Sequence, residues 1–412
     1  MLPLLRSPRC EKSLCATRLH RISAIISSVN KPRASLPHFL LLCSCFFLIA
    51  SPLRTQTPTT TATSLTPEPK PADAPLNWKQ LVGIYGKDKR THFTILERQG
   101  QLFLRAPFLY GNEDSEISIR DFENSQFSFP NGSGRRLKAT TLRDSSSTVR
   151  MLVVDLSDVV PSDNDPKSGR YRIVEPWYFP RTDASADPEH FYHVTPTKPL
   201  EQLRAAALAA KPPEEPGPFR KPDLVELVTL DPAIHLDIRY AHNDNFLGTP
   251  LYTQARAFLQ RPAAEALLRV LRKLHPLGYG LLIHDAYRPW YITKVFWDAT
   301  PPEGHDFVAD PQKGSKHNRG CAVDLSLYDL ATGNVIEMPG LYDEMSPRSY
   351  PTFPGGTSLQ RWHRDLLRRA VESEGFAVNA YEWWHFDYKD WKLYPLLNVP
   401  FENLTTLDNS SK

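Results

Sequence analysis

Cysteine is scarce in this sequence. Five occur, and four of them (Cys10, Cys15, Cys43 and Cys45) fall within the first 45 residues, which leaves Cys321 alone in the remainder. Once that N-terminal stretch is removed no internal disulfide can form, a pattern that agrees with export without requiring it. An excess of charge of one sign is also lacking. The 49 Lys and Arg against 46 Asp and Glu leave a net charge of +3, which implies no nucleic-acid partner. The apolar run near the N-terminus is short as well: Phe39–Ala50 (FLLLCSCFFLIA) has 12 residues, where a membrane-spanning helix needs roughly 20.

Twelve residues do suit the core of a signal peptide, and seven Lys or Arg precede them with Glu11 as the single acid. Residues 1–50 are therefore expected to be a signal peptide or an N-terminal anchor, and the protein to be exported to the periplasm or cell envelope. The 38-residue lead-in is long for such a segment, so a downstream start near Val29 is one expectation. Cleavage near Ala50 competes with an uncleaved anchor, which would be the protein's one route to a membrane. Cys45 does not read as a lipoprotein cysteine, because apolar residues continue beyond it.

The 412 residues are enough for two domains with linkers, and proline, at 38, gathers in the connecting segments. Thr, Pro, Ser and Ala dominate 51–77, a flexible or extended linker. From 78 to 195 short alternating runs (His92–Glu97, Gln101–Arg105, Phe127–Phe129, Val149–Asp155) are separated by turn signals such as Pro130-Asn-Gly-Ser-Gly. They predict a small β-rich domain, a barrel or a sandwich. Leu81-Val-Gly-Ile-Tyr-Gly faintly resembles the opening of lipocalin-like domains attached to some β-lactamase-related hydrolases. The histidines here (His92, His190, His193) read as solvent or packing residues. Residues 196–221 are a second linker with a short helix at 199–210, ending in Lys211-Pro-Pro-Glu-Glu-Pro-Gly-Pro.

The last region, 222–405, mixes both periodicities. Leu224–Val228, Ile234–Tyr240, Gly280–Arg288 and Trp383–Tyr388 read as strands, whereas Pro262–Leu274, Pro289–Asp298 and Ser358–Glu374 read as helices. The order predicts an α+β domain, an antiparallel sheet with flanking helices.

Two clusters in this region carry chemistry. In Ser315-Lys-His-Asn-Arg-Gly-Cys-Ala-Val-Asp324, Gly320 permits a tight turn that can bring His317 back beside Asp324 on the following strand. In Tyr381-Glu-Trp-Trp-His-Phe386, Glu382 and His385 flank two large aromatics. Two histidines and an aspartate suit a catalytic zinc site with a fourth position for water, and a nearby carboxylate could take that water's proton. Strict strand alternation would put Glu382 and His385 on opposite faces, so a bulge or twist is needed for both to reach one metal. Cys321 admits two readings, a thiolate ligand or a small buried residue. His284, His305 and His363 lack matching partners and read as structural or exposed.

The motif S-x-H-x-x-G-x-A-x-D followed by E-W-W-H resembles the zinc D-alanyl-D-alanine dipeptidases, within the zinc D,D-peptidases. Arg239-Tyr-Ala-His-Asn-Asp-Asn-Phe-Leu-Gly248 and Asp285-Ala-Tyr-Arg-Pro289 extend the likeness over about 222–400. The resemblance implies one zinc ion per chain on His317, Asp324 and His385, with Glu382 as general base. It further implies that Arg288 stabilises the charged tetrahedral oxygen, and that Ser315, Asp343 and Tyr240 contact substrate, the last two at its amino end. Trp383 and Trp384 would pack around the site and keep it dry. Cobalt or iron could occupy the same ligand geometry. The implied reaction is hydrolysis of D,D-dipeptides in peptidoglycan turnover, with peptidoglycan fragments as further partners. The alternatives are a D,D-carboxypeptidase acting on stem peptides and a non-catalytic wall-binding protein. Glu-Trp-Trp-His and Asp343 favour the dipeptidase.

Overall fold

The computed structural model describes Leu65 and residues 68–404, apart from 87–90, 113–114, 131–135, 146, 156–175 and 183–192. The expected leader, most of the first linker and His190 lie outside the described residues. Among the described residues no helix is long and apolar enough to cross a membrane.

A short helix, α1 (Leu76–Leu81), leads into β1 (Gly83–Gly86), β2 (His92–Arg98) and β3 (Gln101–Arg105). A single turn, α2 (Pro107–Tyr110), precedes β4 (Glu116–Ile119), and β1–β4 pair antiparallel in chain order. Next come β5 (Gln126–Pro130), β6 (Arg136–Arg143), β7 (Val149–Asp155) and β8 (Trp177–Pro180), again antiparallel and in order. Alternation drives both sheets. In β3 and β5 every second residue is buried, and these residues meet in one core with Phe93, Ile95, Leu137 and Leu152. Phe93 alone contacts Phe108, Phe129 and Phe179 edge-on, the geometry that ring quadrupoles prefer. A bridge between Tyr85 and Arg181 joins the first strand to the end of the last. Of the histidines, His92 is half-buried and His193 exposed.

A separate core surrounds the C-terminal sheet. After α3 (Leu200–Ala209), β9 (Leu224–Glu226) and β10 (Ile234–Leu236) precede β11 (Phe258–Gln260), which pairs with β9. The helix α4 (Arg261–Leu274) starts with Pro262 in its first turn and ends with Arg272 and Lys273 beside its negative pole. It buries Ala263, Leu267, Val270, Leu271 and Leu274, one face of a 3.6-residue repeat. Each large side chain there gains roughly 1.5–3 kcal/mol on leaving water.

The sheet itself is built from β10, β12 (Tyr279–Asp285), β13 (Ala322–Asp329), β15 (His385–Tyr388) and β14 (Phe376–Val378), in that spatial order. Two helices complete the region, α5 (Trp290–Ala299) and α6 (Ser358–Glu372). Thr357 and Gln360 close a capping box at the start of α6. The whole region is α+β, as expected, with one correction: β10 runs parallel to β12, and the other pairings in the sheet are antiparallel. The reason is the connection from β10 to β12, which passes through β11 and α4 and so returns the chain in the same direction.

Candidate active site

The site begins as a row across the sheet. On central strand β13, Asp324 stands opposite Asp285 of β12 on one side and opposite His385 of β15 on the other. Directly opposed residues on antiparallel strands are nearest neighbours, so the register alone gathers these three polar groups. A register shift at Ile283–Asp285 ends the ladder there and turns the chain toward Arg288.

His317 enters from outside the sheet. It opens a short 3-10 turn (His317–Arg319) that Gly320 closes at φ 64°. A Cβ at Gly320 would be strained by that dihedral and would lie 2.5 Å from the Leu224 side chain. His317 therefore depends on glycine for its approach to Asp324. The Ser315 hydroxyl accepts the His317 backbone N–H at 3.2 Å and fixes the start of the turn.

The ligating atoms form a tight triangle. His317 Nε2 lies 3.4 Å from Asp324 Oδ1, His385 Nδ1 lies 3.1 Å from the same oxygen, and the two nitrogens are 3.1 Å apart. Tautomers decide what this triangle needs. His317 Nδ1 is 2.6 Å from the Ala286 carbonyl, which can only accept, so the ring proton sits there. His385 Nε2 donates to the Asp387 carboxylate at 2.9 Å. Both remaining nitrogens thus present lone pairs to one another and to Asp324 Oδ1, a buried oxygen with no hydrogen-bond partner. Three converging lone pairs repel unless a cation lies among them. For ligand bonds of 2.0–2.1 Å a tetrahedral edge is about 3.3 Å, which the triangle matches. The residues fit a zinc-type ion, and the carbonyl and carboxylate behind the imidazoles hold them in the required tautomers.

Protons on the imidazoles can also meet this demand for a cation. Burial works against ionisation of Asp324, but His317 and His385 outweigh it and hold the carboxyl well below its usual range. Burial likewise works against charge on His385, yet Asp387 and Asp324 raise its pKa well above the ordinary value. The site draws positive charge. The second oxygen of Asp324 accepts from Tyr342 Oη at 3.3 Å, and the Tyr342 ring stacks on His284 at 4.4 Å.

Glu382 does not lie in a strand. The expected strand over 383–388 begins only at His385, and Glu382 sits in the turn before it. No bulge is needed: the turn frees the side chain from alternation and brings Oε2 to 3.5 Å from His385 Nδ1. Asn379 Nδ2 donates to the same oxygen at 3.0 Å. Burial, reinforced by Asp324 and Asp343 and opposed by His385, pushes the Glu382 carboxyl up to about 8.

Arg288 is fixed as a cation inside the cavity. Its Nε and Nη2 bind Asp285 Oδ2 at 2.8 and 2.6 Å, Nη2 comes within 3.9 Å of Asp324 Oδ2, and the guanidinium lies 4.6 Å from the Phe296 ring centre. Burial disfavours its charge, but Asp285 more than restores it. Asp343 has a left-handed backbone (φ 58°) and a buried oxygen, Oδ2, with no hydrogen-bond partner. Burial, with Asp324 adding to it and the Tyr240 hydroxyl opposing, pushes Asp343 up to about 7.

One cavity of about 250 Å³ is lined by His317, Asp324, His385, Glu382, Arg288, Ser315, Asp343 and Tyr240 together. All eight residues singled out in the sequence meet there. Trp384 also lines it, but Trp383 does not: it is buried against Trp384, edge to face at 5.4 Å, so only one of the two tryptophans faces the site. Cys321 is buried beneath the turn, its thiol pushed up to about 12 by burial, and it stands outside the ligand group. His284 and His363 are buried, and His305 stacks on Trp297 at 3.8 Å.

Sequence reasoning missed four supporting residues. Asp387 follows His385 by two positions on a strand, hence on the same face, and could have been found by that spacing. Asp285 lay within the quoted Asp-Ala-Tyr-Arg-Pro stretch, three residues before Arg288. Asn379 and Tyr342 reach the site from loops and left no periodic signal.

Comparison with known proteins matches residues 220–404 to a family described as D-ala-D-ala dipeptidase. The chain is similar to the D-alanyl-D-alanine dipeptidase of Escherichia coli (strain K12), 36% identical over 179 residues that span 43% of this chain and 91% of that protein. It is also similar to the D-alanyl-D-alanine dipeptidases of Enterococcus faecalis (34% identity, 39% of this chain and 90% of the relative) and Streptomyces coelicolor (34%, 38% and 87%).

Proposed function

The chain belongs to the D-ala-D-ala dipeptidase family, and on that premise we propose that it hydrolyses D-alanyl-D-alanine and related D,D-dipeptides with one zinc ion held by His317, Asp324 and His385. The observation that carries this reading is the convergence of two imidazole lone pairs and an unpartnered carboxylate oxygen within 3.1–3.4 Å, beside a carboxylate of raised pKa. When bound, zinc would supply a Lewis acid for the scissile carbonyl and for the attacking water.

The chain's own residues do the rest. Glu382, held by Asn379, takes the proton of the attacking water and hands it to the leaving amine. Arg288, clamped by Asp285, faces the oxygen on which negative charge develops, and needs no reorganisation as the charge appears. Asp343 and Tyr240 receive the substrate's ammonium group, and Ser315 contacts the substrate beside the His317 turn. A buried carboxylate oxygen without a partner at that end favours a free amino group over an acylated one, hence a dipeptidase over a D,D-carboxypeptidase.

The apolar run Phe39–Ala50 supports an exported enzyme acting on peptidoglycan fragments in wall turnover. Cell fractionation that finds the protein only in cytosol overturns this part. The reaction is tested by release of D-alanine from D-alanyl-D-alanine, its N-acetylated form and a stem pentapeptide. Cleavage of the free dipeptide alone is expected. Cleavage of the blocked substrates would make it a carboxypeptidase, and no cleavage by zinc-loaded protein would make it a binding protein.

A further inference from the structure

The family match begins at residue 220, which leaves the β-rich part without a role. Its polar contacts with the peptidase region gather mainly at one residue, and the nearby Gln99 N–H adds a bond to the Ser358 hydroxyl at 2.9 Å. Glu97, on β2, is 3% exposed. Its Oε2 accepts the Ser358 backbone N–H at 2.6 Å, and its Oε1 accepts the Ser358 hydroxyl at 3.2 Å and the Gly100 N–H at 2.7 Å. Its backbone N–H donates to the Gly356 carbonyl at 3.1 Å, and its own carbonyl accepts from Arg361 Nη2 at 2.7 Å. Ser358 opens the fifteen-residue helix α6, so a charge from the β-rich part sits on that helix's positive pole. Arg361 Nη1 also binds the Gly355 and Gly356 carbonyls, at 3.1 and 2.8 Å. Gly356 (φ 80°) has a backbone that strains any other residue, and a Cβ there would press on Gln360 Oε1 at 2.9 Å.

The segment that ends at this junction carries Tyr342 and Asp343. Inside it, Arg348 Nε donates to the Pro339 carbonyl at 2.8 Å and the Glu344 carboxylate accepts the Leu341 N–H at 2.9 Å, which folds the segment back on itself. Its Ser349 carbonyl accepts the Trp383 N–H at 2.7 Å, one residue beyond Glu382. At its beginning, Lys79 of α1 reaches Glu337 at 3.1 Å, an exposed pair that contributes little.

We propose that Glu97 is a positioning residue for the active site: by fixing Gly356 and Ser358 it holds the 337–358 segment, and with it Asp343, at the amino end of the substrate pocket. The β-rich part is then a brace for substrate recognition. The inference rests on the reading of Asp343 as the ammonium-facing residue.

The test compares zinc-loaded, full-length wild type with Glu97→Ala and Glu97→Gln, by hydrogen exchange and by steady-state release of D-alanine from D-alanyl-D-alanine. Losing a buried, charge-assisted cap is expected to speed amide exchange in 341–350 about tenfold, while β13 stays as protected as before. In the same variant KM is expected to rise about fivefold with kcat within about twofold. Glu97→Gln, which keeps one acceptor, lies between, and decides the matter if Glu97→Ala fails to fold. Lys79→Ala leaves both readouts unchanged. Unaltered exchange in 341–350, or a loss of protection spread equally over β13, overturns the proposal. Should wild type release no D-alanine, the dipeptidase reading fails, and the exchange comparison still decides whether Glu97 braces the segment.

Discussion

Asp324 and His385 stand directly opposite one another on β13 and β15, with Oδ1 and Nδ1 3.1 Å apart. Strand register sets that distance, so any metal held between them is gripped by the sheet itself. What orients His385 within the pair is Asp387, on the same face of the same strand. Replacing Asp387 with Ala leaves the ligands in place but frees the ring and its tautomer. The expected outcome is a loss of zinc affinity of roughly 10–100-fold, measured by competition with a chelator. Unchanged affinity would mean that the sheet suffices.

Glu382 sits in a turn, outside the ladder that fixes Asp324 and His385. Glu382→Gln is therefore expected to retain zinc at the wild-type level while D-alanine release falls by about 10²–10⁴-fold. Metal content and turnover, measured on the same preparation, separate the two. A variant that keeps its rate removes Glu382 from the chemistry.

Arg288 meets the cavity as a buried cation held by Asp285. Arg288→Ala is expected to lower kcat by about 10²–10³-fold, as removal of an oxyanion partner does. A rise in KM with kcat unchanged would assign Arg288 to substrate binding instead.

His363 lies on α6, beside the Tyr279 hydroxyl at 3.0 Å. Burial, with Lys70 adding to it, lowers its pKa to about 4. An unfolded histidine takes up its proton near pH 6.5, whereas the folded one resists until about pH 4. The neutral ring's contribution to stability is thus complete above pH 6.5 and is lost as the pH falls toward 4, up to about 3 kcal/mol. Denaturant unfolding between pH 7 and 4 should show a steeper loss in wild type than in His363→Phe. Parallel curves would contradict it.

Much of the site is legible in the sequence. His317 and Asp324 are separated by one turn and a few strand residues, so a glycine and an alternating pattern suffice to bring them together. Helices α4 and α6 showed their buried faces as 3.6-residue repeats. The sequence misled where a short element begins: Trp383–Tyr388 reads as one strand because Trp383, Trp384 and Phe386 are all strand-formers, yet pairing starts at His385. The parallel β10 was hidden because three residues carry no mark of direction. Tyr342 and the Glu97 junction depend on contacts between distant segments, which local periodicity does not encode, and Asn379, three residues before Glu382, sits in a loop with no period to mark it.

The central claim is that one zinc ion on His317, Asp324 and His385 drives peptide cleavage. Its most direct test is to strip the full-length protein with a chelator and add zinc back in measured amounts while following D-alanine release from D-alanyl-D-alanine. The account predicts no release at the start, a linear rise, and a plateau at one zinc per chain, with no recovery in Asp324→Ala. Full activity in the stripped protein, or recovery in Asp324→Ala equal to wild type, would contradict it.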